Sequence, residues 1–312
     1  MKIMVTGGAG YLGSIMVPEL LKHGWEVVVV DNFLYRQTPL LDHCNNQNLT
    51  IVRGDVRNRD VVGKVIRDVD FIFPLACLTG APICSQNPVD AQSVNYDAIK
   101  LLLELRSKNQ KIIFPTTNSG YGIGQKDIFC TEATPLNPIS LYGKLKADIE
   151  QALLDDGEVI TLRLATVFGA SPRMRFDLLV NDFVQRALVD STVVLFESHF
   201  KRNYLHIRDV ARAFVFALEN FQSMKDQCYN VGLNDANLSK FELCTLIQEY
   251  VPKFVFLESE IGKDPDQRNY IVSNEKINAK GFFAKTSMSE GVQELIKGLQ
   301  IIKRHNLSCS NI

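Results

Sequence analysis

The stretch Thr6-Gly7-Gly8-Ala9-Gly10-Tyr11-Leu12-Gly13 decides the fold of this chain. It follows directly on an apolar run of strand length, and it opens a helical stretch predicted over residues 11–23, which Gly24 ends. Glycines at these spacings permit a tight turn, a close approach of backbone to a pyrophosphate, and close packing of helix on strand. The free N–H groups of a helix N-terminus attract anions. We therefore expect Gly7, Gly10, Tyr11, Leu12 and Gly13 to contact the diphosphate of a dinucleotide.

Short apolar runs alternate with amphipathic helical stretches through the first half of the chain. The runs of strand character are residues 3–5, 26–30, 49–52, 70–75, 111–114 and 159–162. Strands that are apolar on both faces and separated by helices imply a parallel sheet covered on each side. The predicted fold class is α/β, a Rossmann-type doubly wound parallel sheet, and such sheets bind ligands at their carboxyl edge.

The second half of the chain, beyond about Phe168, is less regular. The pattern predicts helices over residues 176–189, after Asp209 and from Ser239, and strands over residues 193–196 and 228–231. Ser239 followed by Glu242 predicts a capping box. We expect residues 1–165 to form a dinucleotide-binding domain, and residues 166–312 to form mainly a smaller, mixed α/β substrate domain. Some segments of the second part are expected to return to the first, with a cleft at the junction.

Asp31 ends the second predicted strand, where a carboxylate accepts hydrogen bonds from the ribose hydroxyls of adenosine and repels a 2′-phosphate. This position favours NAD over NADP, although Arg36 downstream leaves NADP open. Asp55 follows the third strand and is placed to accept a hydrogen bond from the adenine amino group. The further residues expected at the same crevice, at the ends of the second to fourth strands, are Asn32, Val56, Leu75 and Ala76.

Tyr142 and Lys146 share one face of a helix predicted over residues 140–154. A neighbouring ammonium favours the phenolate and lowers the pKa of a tyrosine, so we expect the pKa of Tyr142 to lie closer to neutrality. Such a tyrosine can take a proton from a sugar hydroxyl as a hydride leaves. The fifth strand runs into Thr116 and Thr117, which brings a hydroxyl to the same edge of the sheet.

Together these motifs resemble the extended short-chain dehydrogenase/reductase family of NAD-dependent nucleotide-sugar epimerases, dehydratases and dehydrogenases. The resemblance covers nearly the whole chain. It implies that Thr117 orients the reacting hydroxyl, that Tyr142 is the general base, and that Lys146 holds the nicotinamide ribose. It further implies NAD as cofactor, contacted also by Thr116, and a symmetric homodimer formed through helices near residues 95–107 and 140–154.

The resemblance also extends to the substrate side. Residues 202–210 resemble a family block that carries a phosphate-facing arginine, here Arg202, and Arg268 stands where the family places a second one. Arginines suit a diphosphate because their planar forks donate paired, charge-assisted hydrogen bonds. The other expected substrate contacts are Asn118, Ser119, Thr166 and Asn181. Arg173 and Arg175 fit either solvated loop charges or ligand contacts, and His206 is expected to be structural.

Three reactions of the family begin with the same hydride abstraction. The 4,6-dehydratases carry Asp-Glu after the threonine, whereas this chain has Asn118 and Ser119, which cannot act as acid and base; dehydration is therefore disfavoured. Residues 117–124, 172–175 and 196–199 resemble the GDP-heptose 4-dehydrogenase branch, which implies oxidation of GDP-D-glycero-α-D-manno-heptose at C4 for surface polysaccharide. A nucleotide-sugar 4-epimerase is the alternative, and a dinucleotide-binding protein without turnover is disfavoured by the intact Thr117, Tyr142 and Lys146.

Composition excludes several other classes of function. A formal net charge of −1 over 312 residues provides no global field for nucleic acid or an anionic membrane. The 7 cysteines are scattered without a CxxC pair, and the 5 histidines have no metal-binding spacing, so we expect reduced thiols and no metal. An apolar strand directly after Met1 and the lack of a run of membrane-spanning length predict a cytoplasmic protein.

Overall fold

The computed structural model describes residues 1–36, 38–262 and 267–302. The strands in these ranges are β1 (Lys2–Thr6), β2 (Glu26–Asp31), β3 (Leu49–Arg53), β4 (Phe71–Pro74), β5 (Lys111–Thr117), β6 (Phe129–Cys130), β7 (Val159–Leu164), β8 (Thr166–Phe168), β9 (Thr192–Phe196), β10 (Lys201–His206), β11 (Gln227–Val231), β12 (Asn237–Ser239), β13 (Val255–Ser259) and β14 (Ile271–Val272). The helices are α1 (Gly13–Lys22), α2 (Arg59–Val65), α3 (Ala81–Gln86), α4 (Pro88–Gln92), α5 (Ala98–Leu105), α6 (Leu141–Asp156), α7 (Leu179–Val189), α8 (Ile207–Glu219), α9 (Phe221–Met224), α10 (Lys240–Tyr250), α11 (Glu275–Asn278) and α12 (Met288–Ile301).

The main sheet confirms the predicted fold class. The described strands form a seven-stranded sheet in the order β3-β2-β1-β4-β5-β7-β11, and each neighbouring pair is parallel. Strand order reverses between β1 and β4, where the connections that leave the two strands run in opposite directions. A crevice opens at the carboxyl edge of the sheet at such a point, and ligands bind there.

Both faces of this sheet carry buried side chains. Successive side chains of a strand point to opposite faces, so neighbouring residues of one strand pack into different cores. Ile3 and Val5 pack on one face in a core that includes Phe214 of α8, and Met4 packs on the other in a core that includes Ile149 of α6. The apolar runs that predicted the strands therefore have a direct physical cause. Strands β1, β2, β4, β5 and β7 each supply buried residues to two separate cores.

The chain beyond β7 divides between two locations. Strand β11 pairs with β7 at the edge of the main sheet, and α8 packs against that sheet. Strands β8, β10 and β12 form a smaller sheet, and β9 pairs with β13, next to a separate core that includes Phe183, Tyr204 and Leu243. The predicted capping box of α10 is present, with Ser239 and Glu242 bonded reciprocally.

Two of the predicted helix boundaries differ from the structure for a local reason. Helix α7 begins at Leu179 rather than near Phe176, because Leu178 is extended and the carboxylate of Asp177 pairs with Arg175. Helix α6 begins at Leu141, and the side chain of Ser140 caps it by accepting a hydrogen bond from the Gly143 amide. In both places side-chain bonding decides where the helix begins.

A buried ion pair fixes α6 against the main sheet. The guanidinium of Arg163 on β7 donates from Nη2 to Glu150 Oε1 at 2.6 Å, and its Nη1 donates to the Tyr121 hydroxyl at 3.0 Å. The Tyr121 hydroxyl donates in turn to Asn230 of β11 at 2.7 Å. These groups are buried, so each depends on its partners for the hydrogen bonds that water no longer supplies.

We expect Glu150→Ala to lower the free energy of unfolding by about 3–5 kcal/mol, because it leaves the Arg163 charge buried without its partner. Chemical denaturation followed by circular dichroism measures this loss. Glu104→Ala is the matched control: it removes the partner of Arg59 in a pair whose side chains are 59% and 60% exposed. That change should cost about 1 kcal/mol or less, and equal losses for the two variants would contradict the role given to the buried pair.

Candidate active site

The glycine turn after β1 leaves no space for side chains. Gly7 has a φ of +68°, and a Cβ atom there would lie 2.7 Å from the amide nitrogen of Ala76, which follows β4. A Cβ at Gly13 would lie 2.5 Å from the carbonyl oxygen of Gly7. The turn is thus closed against both the end of β4 and the first turn of α1. Its backbone is brought to the crevice where the strand order reverses.

Asp31 at the end of β2 is held beside this turn. Its Oδ2 accepts a hydrogen bond from the Ala9 amide at 2.9 Å, and its Oδ1 accepts one from the Phe33 amide at 2.8 Å. Burial raises the pKa of Asp31, while the two amides and the charge of Arg173 oppose that shift. Asp31 thus lies at the position at which a carboxylate binds ribose hydroxyls.

The carboxyl group of Asp55 has a different environment. Its pKa is lowered, mainly by hydrogen bonding to Arg57.

A single cavity of about 820 Å³ brings most of the sequence-predicted residues together. From the cofactor set, the lining contains Gly7, Gly10, Tyr11, Leu12, Gly13, Asp31, Asn32, Asp55, Val56, Leu75, Ala76, Thr116, Tyr142 and Lys146. From the catalytic and substrate sets it also contains Thr117, Ser119, Thr166, Arg202 and Arg268. The glycine turn, the carboxylate after β2 and the Tyr/Lys pair therefore share one cavity, and this arrangement fits a bound dinucleotide.

Two residues of the predicted substrate set lie outside that lining. Asn181 is buried on α7, where its side chain donates to the carbonyl oxygen of Arg175 at 2.8 Å and accepts from the Gly169 amide at 3.0 Å. Its contacts thus fix the loop that precedes α7. Asn118 is 1% exposed, and neither polar atom of its side chain has a hydrogen-bond partner within the described part of the chain.

The three predicted catalytic residues come from two adjacent elements. Thr117 ends β5, and Tyr142 and Lys146 lie one turn apart near the start of α6. The ammonium of Lys146 donates to the carbonyl oxygen of Pro115 at 2.9 Å and lies 4.2 Å from the centre of the Phe114 ring. Lys146 is therefore anchored to β5, which fixes the spacing of helix and strand at the cavity.

The pKa of Tyr142 in the free protein differs in direction from the sequence expectation. Burial raises the pKa of Tyr142 well above its usual value, and the positive charges of Arg175 and Arg268 oppose that rise. Desolvation disfavours the phenolate more strongly than the nearby cations favour it. This direction is opposite to the expected shift toward neutrality.

Sequence reasoning left Arg173 and Arg175 undecided, and the structure buries both in the cavity wall. The guanidinium of Arg173 lies 4.0 Å from the centre of the Tyr35 ring. Arg175 pairs with Asp177 and donates from Nη2 to the carbonyl oxygen of Thr79 at 3.1 Å. In the sequence, Asp177 could have indicated that Arg175 is buried, because a buried arginine requires a charged partner nearby.

His206 lies outside the cavity lining, and its structural role stays a prediction. It precedes α8, and its Nδ1 accepts a hydrogen bond from the Arg208 amide at 3.3 Å. Its Nε2 lies 3.5 Å from the carboxylate of Glu294. Within the described ranges, no group of three His, Cys, Asp or Glu residues is arranged to hold a metal ion, and no helix has the length and apolarity needed to cross a membrane.

Comparisons with known proteins agree with this geometry. Residues 3–232 match the NAD dependent epimerase/dehydratase family. UDP-glucuronic acid decarboxylase 1 of Arabidopsis thaliana is 26% identical over 310 residues, which cover 95% of this chain and 69% of the relative. UDP-glucose 4-epimerase 2 of the same plant is 26% identical over 331 residues, covering 95% and 93%. The crystal structure of Thermus thermophilus UDP-glucose 4-epimerase in complex with NAD superposes with a TM-score of 0.83 at 25% identity, covering 96% and 99%.

The chain therefore belongs to the NAD dependent epimerase/dehydratase family, within the extended short-chain dehydrogenases/reductases. It is an enzyme that uses NAD, and its activity is of the nucleotide-sugar epimerase/dehydratase type. The prediction of NAD as cofactor is confirmed. NAD would supply the hydride acceptor when bound, and the glycine turn, Asp31 and Lys146 line the cavity where they would hold it.

We expect Gly7→Ala to weaken NAD binding at least about tenfold, a loss of about 1.4 kcal/mol, because its Cβ forces the turn away from Ala76. Calorimetric titration of the purified variant with NAD measures the change. Gly24→Ala is the matched control, since Gly24 has a similar φ of +74° and a Cβ there would meet no atom within 4 Å. The control should cost about 1–2 kcal/mol of stability and leave NAD binding intact. Equal affinities for the two variants would contradict the assignment.

The charge of Arg175 is expected to set where on the pH scale Tyr142 can act. Because this positive charge favours the phenolate, Arg175→Gln should raise the pKa of Tyr142 and move the rising limb of kcat/KM to higher pH. Arg175→Lys keeps the charge and should leave the limb close to its wild-type position. A pH profile of cofactor reduction for the three proteins tests this, and a limb that does not move in Arg175→Gln would refute it.

Proposed function

We propose that this enzyme oxidises the C4 hydroxyl of a nucleotide-diphosphate sugar. The observation that carries the proposal is that Thr117, Tyr142 and Lys146 line the same cavity as the glycine turn and Asp31. A hydroxyl, a phenol and an ammonium are thereby brought to the site predicted to hold the cofactor. Arg202 and Arg268 line that cavity as well and supply positive charge for a diphosphate.

Each side chain has one task in this reaction. Tyr142 accepts the proton of the sugar hydroxyl as the hydride leaves C4, so its phenol must first lose its own proton to solvent, and burial raises the pKa of that phenol. Thr117 hydrogen-bonds the same sugar oxygen and orients it. Lys146 keeps α6 close to β5 through its bond to Pro115. Loss of proton and hydride together converts the alcohol to a ketone.

We place GDP-D-glycero-α-D-manno-heptose first among the substrates, with a 4-keto sugar released for surface polysaccharide synthesis. The support is the sequence resemblance of residues 117–124 and 172–175 to that branch. Four residues of these segments line the cavity, namely Thr117, Ser119, Arg173 and Arg175. The side chains at these positions would therefore face a bound sugar. The homodimer and the cytoplasmic location remain predictions.

A nucleotide-sugar 4-epimerase is the second candidate, and the relatives favour it. One of the relatives described above is named a UDP-glucose 4-epimerase and another a UDP-glucuronic acid decarboxylase. Both epimerisation and decarboxylation can begin with oxidation at C4, because a ketone there can be reduced on its other face or can activate a neighbouring carboxylate. Dehydration is disfavoured, since Asn118 and Ser119 stand where an acid and a base would be needed.

The experiment supplies GDP-heptose, UDP-glucose and UDP-glucuronic acid, each deuterated at C4, to the enzyme with NAD. Absorbance of reduced nicotinamide and NMR of the sugar separate the outcomes: a dehydrogenase moves deuterium to the cofactor and yields a ketone, whereas an epimerase returns deuterium to C4. Tyr142→Phe should reduce turnover by about 10²–10⁴-fold, the usual contribution of a general base. Lys144→Met, which changes an exposed residue of the same helix, is the control. Undiminished turnover in Tyr142→Phe would remove the catalytic assignment.

A further inference from the structure

A chain of hydrogen bonds connects Arg268 to the predicted catalytic threonine. Arg268 donates from Nη1 to the hydroxyl oxygen of Ser119. The same oxygen accepts a hydrogen bond from the Thr117 hydroxyl at 2.9 Å, while Thr117 Oγ1 accepts one from the Ser119 amide at 3.1 Å. The Ser119 hydroxyl oxygen therefore receives two donors, and the hydrogen of Thr117 points toward Ser119.

This arrangement restricts what Thr117 can do for a sugar. A hydroxyl has one hydrogen to donate and two lone pairs. In the free protein the Thr117 hydrogen is engaged with Ser119, and one of its lone pairs is engaged with the Ser119 amide. Thr117 then has no hydrogen to donate to a ketone forming at C4, where donation would stabilise the developing negative charge.

The backbone on either side of the contact is fixed, so a change of partner is confined to side chains. Asn269, next to Arg268, accepts a backbone hydrogen bond from Gly124 at 2.8 Å, and its side chain accepts one from the Lys201 amide at 2.9 Å. Ser119 lies in a helical turn that follows β5 and is 3% exposed. Exchange of the Ser119 hydroxyl for another acceptor would therefore leave Asn269 and Ser119 in place.

We propose that binding of the substrate diphosphate draws Arg268 away from Ser119 and thereby frees the Thr117 hydroxyl to act on the sugar. This coupling rests on the proposed function, because it assumes a nucleotide-diphosphate substrate oxidised beside Thr117. A guanidinium bonds an anionic phosphate oxygen more strongly than a neutral hydroxyl. Once Arg268 has moved, the Ser119 hydroxyl rotates to donate to Thr117, and the Thr117 hydrogen becomes available to the sugar oxygen. Ser119 and Arg268 are positioning residues in this scheme.

The kinetic test compares the full nucleotide sugar with the corresponding free sugar, using enzyme loaded with NAD. In wild type the free sugar leaves Arg268 on Ser119, so its kcat should be low. Ser119→Ala and Arg268→Met both break the connection and should raise kcat for the free sugar about tenfold, the value of one reoriented hydrogen bond. For Arg268→Met the comparison uses the pH-independent maximum of kcat, because loss of the Arg268 charge also raises the pKa of Tyr142. Arg268→Met should also raise KM for the full substrate, whereas Ser119→Thr retains the hydroxyl and should raise the free-sugar kcat less than Ser119→Ala does.

Further variants separate the coupling from a purely structural or binding role. The double variant of Ser119→Ala with Arg268→Met should show no additional rise, because both changes break one connection. Arg202→Met changes another arginine of the cavity wall and should raise KM for the nucleotide sugar without raising kcat for the free sugar. An unchanged or lower free-sugar kcat in both folded single variants, verified by thermal melting, would overturn the proposal.

A structural test does not depend on turnover. Crystal structures of the wild-type enzyme with and without UDP or GDP should show Arg268 on Ser119 only in the absence of the nucleotide. If Arg268 stays on Ser119 with the diphosphate bound, the coupling is wrong even if the enzyme oxidises sugars at C4. If the exchange occurs but no sugar is oxidised, the coupling of Arg268 to the diphosphate stands and the proposed function fails.

Discussion

The approach of the Gly7 backbone to the backbone of Ala76 is the constraint on which the rest of the site depends. Because a Cβ at Gly7 would lie 2.7 Å from the Ala76 amide, the turn after β1 and the end of β4 can meet only if this position is glycine. That contact lies where the order of the parallel strands reverses. The glycine turn, Asp31 and the residues after β4 are thereby brought to one edge of the sheet, which becomes one wall of the cavity.

Another part of the lining comes from residues far along the chain, and its chemistry depends on burial. Arg173, Arg175, Arg202 and Arg268 line the cavity together with the phenol of Tyr142. Desolvation raises the pKa of Tyr142, and the charges of Arg175 and Arg268 oppose that rise. The same charges suit a diphosphate. The groups that bind a substrate would thus also influence the proton affinity of the base.

The elements could be predicted from sequence because they rest on short-range patterns, and most of the predicted site residues do line the cavity. Apolar runs of strand length located the strands of the main sheet, and the Tyr142/Lys146 spacing placed both residues on α6. The position of Asp31 at the end of β2 favoured NAD, and the comparisons confirm NAD as the cofactor. Asn181 shows the limit of the approach: a polar residue on a helix beside the cavity looked like a ligand contact, yet it bonds the backbone of Gly169 and Arg175.

Sequence alone therefore determined the parallel sheet, the glycine turn, the cofactor and part of the cavity lining, since periodicity and strand ends bring these residues to one edge. Only the tertiary structure decided the direction of the pKa shift of Tyr142, the burial of Arg175 with Asp177, and the contact between Arg268 and Ser119. Those features join residues as far apart as 149 positions in the chain. The desolvation of a group and the identity of its hydrogen-bond partners depend on which distant residues lie beside it. The local sequence does not show which residues those are.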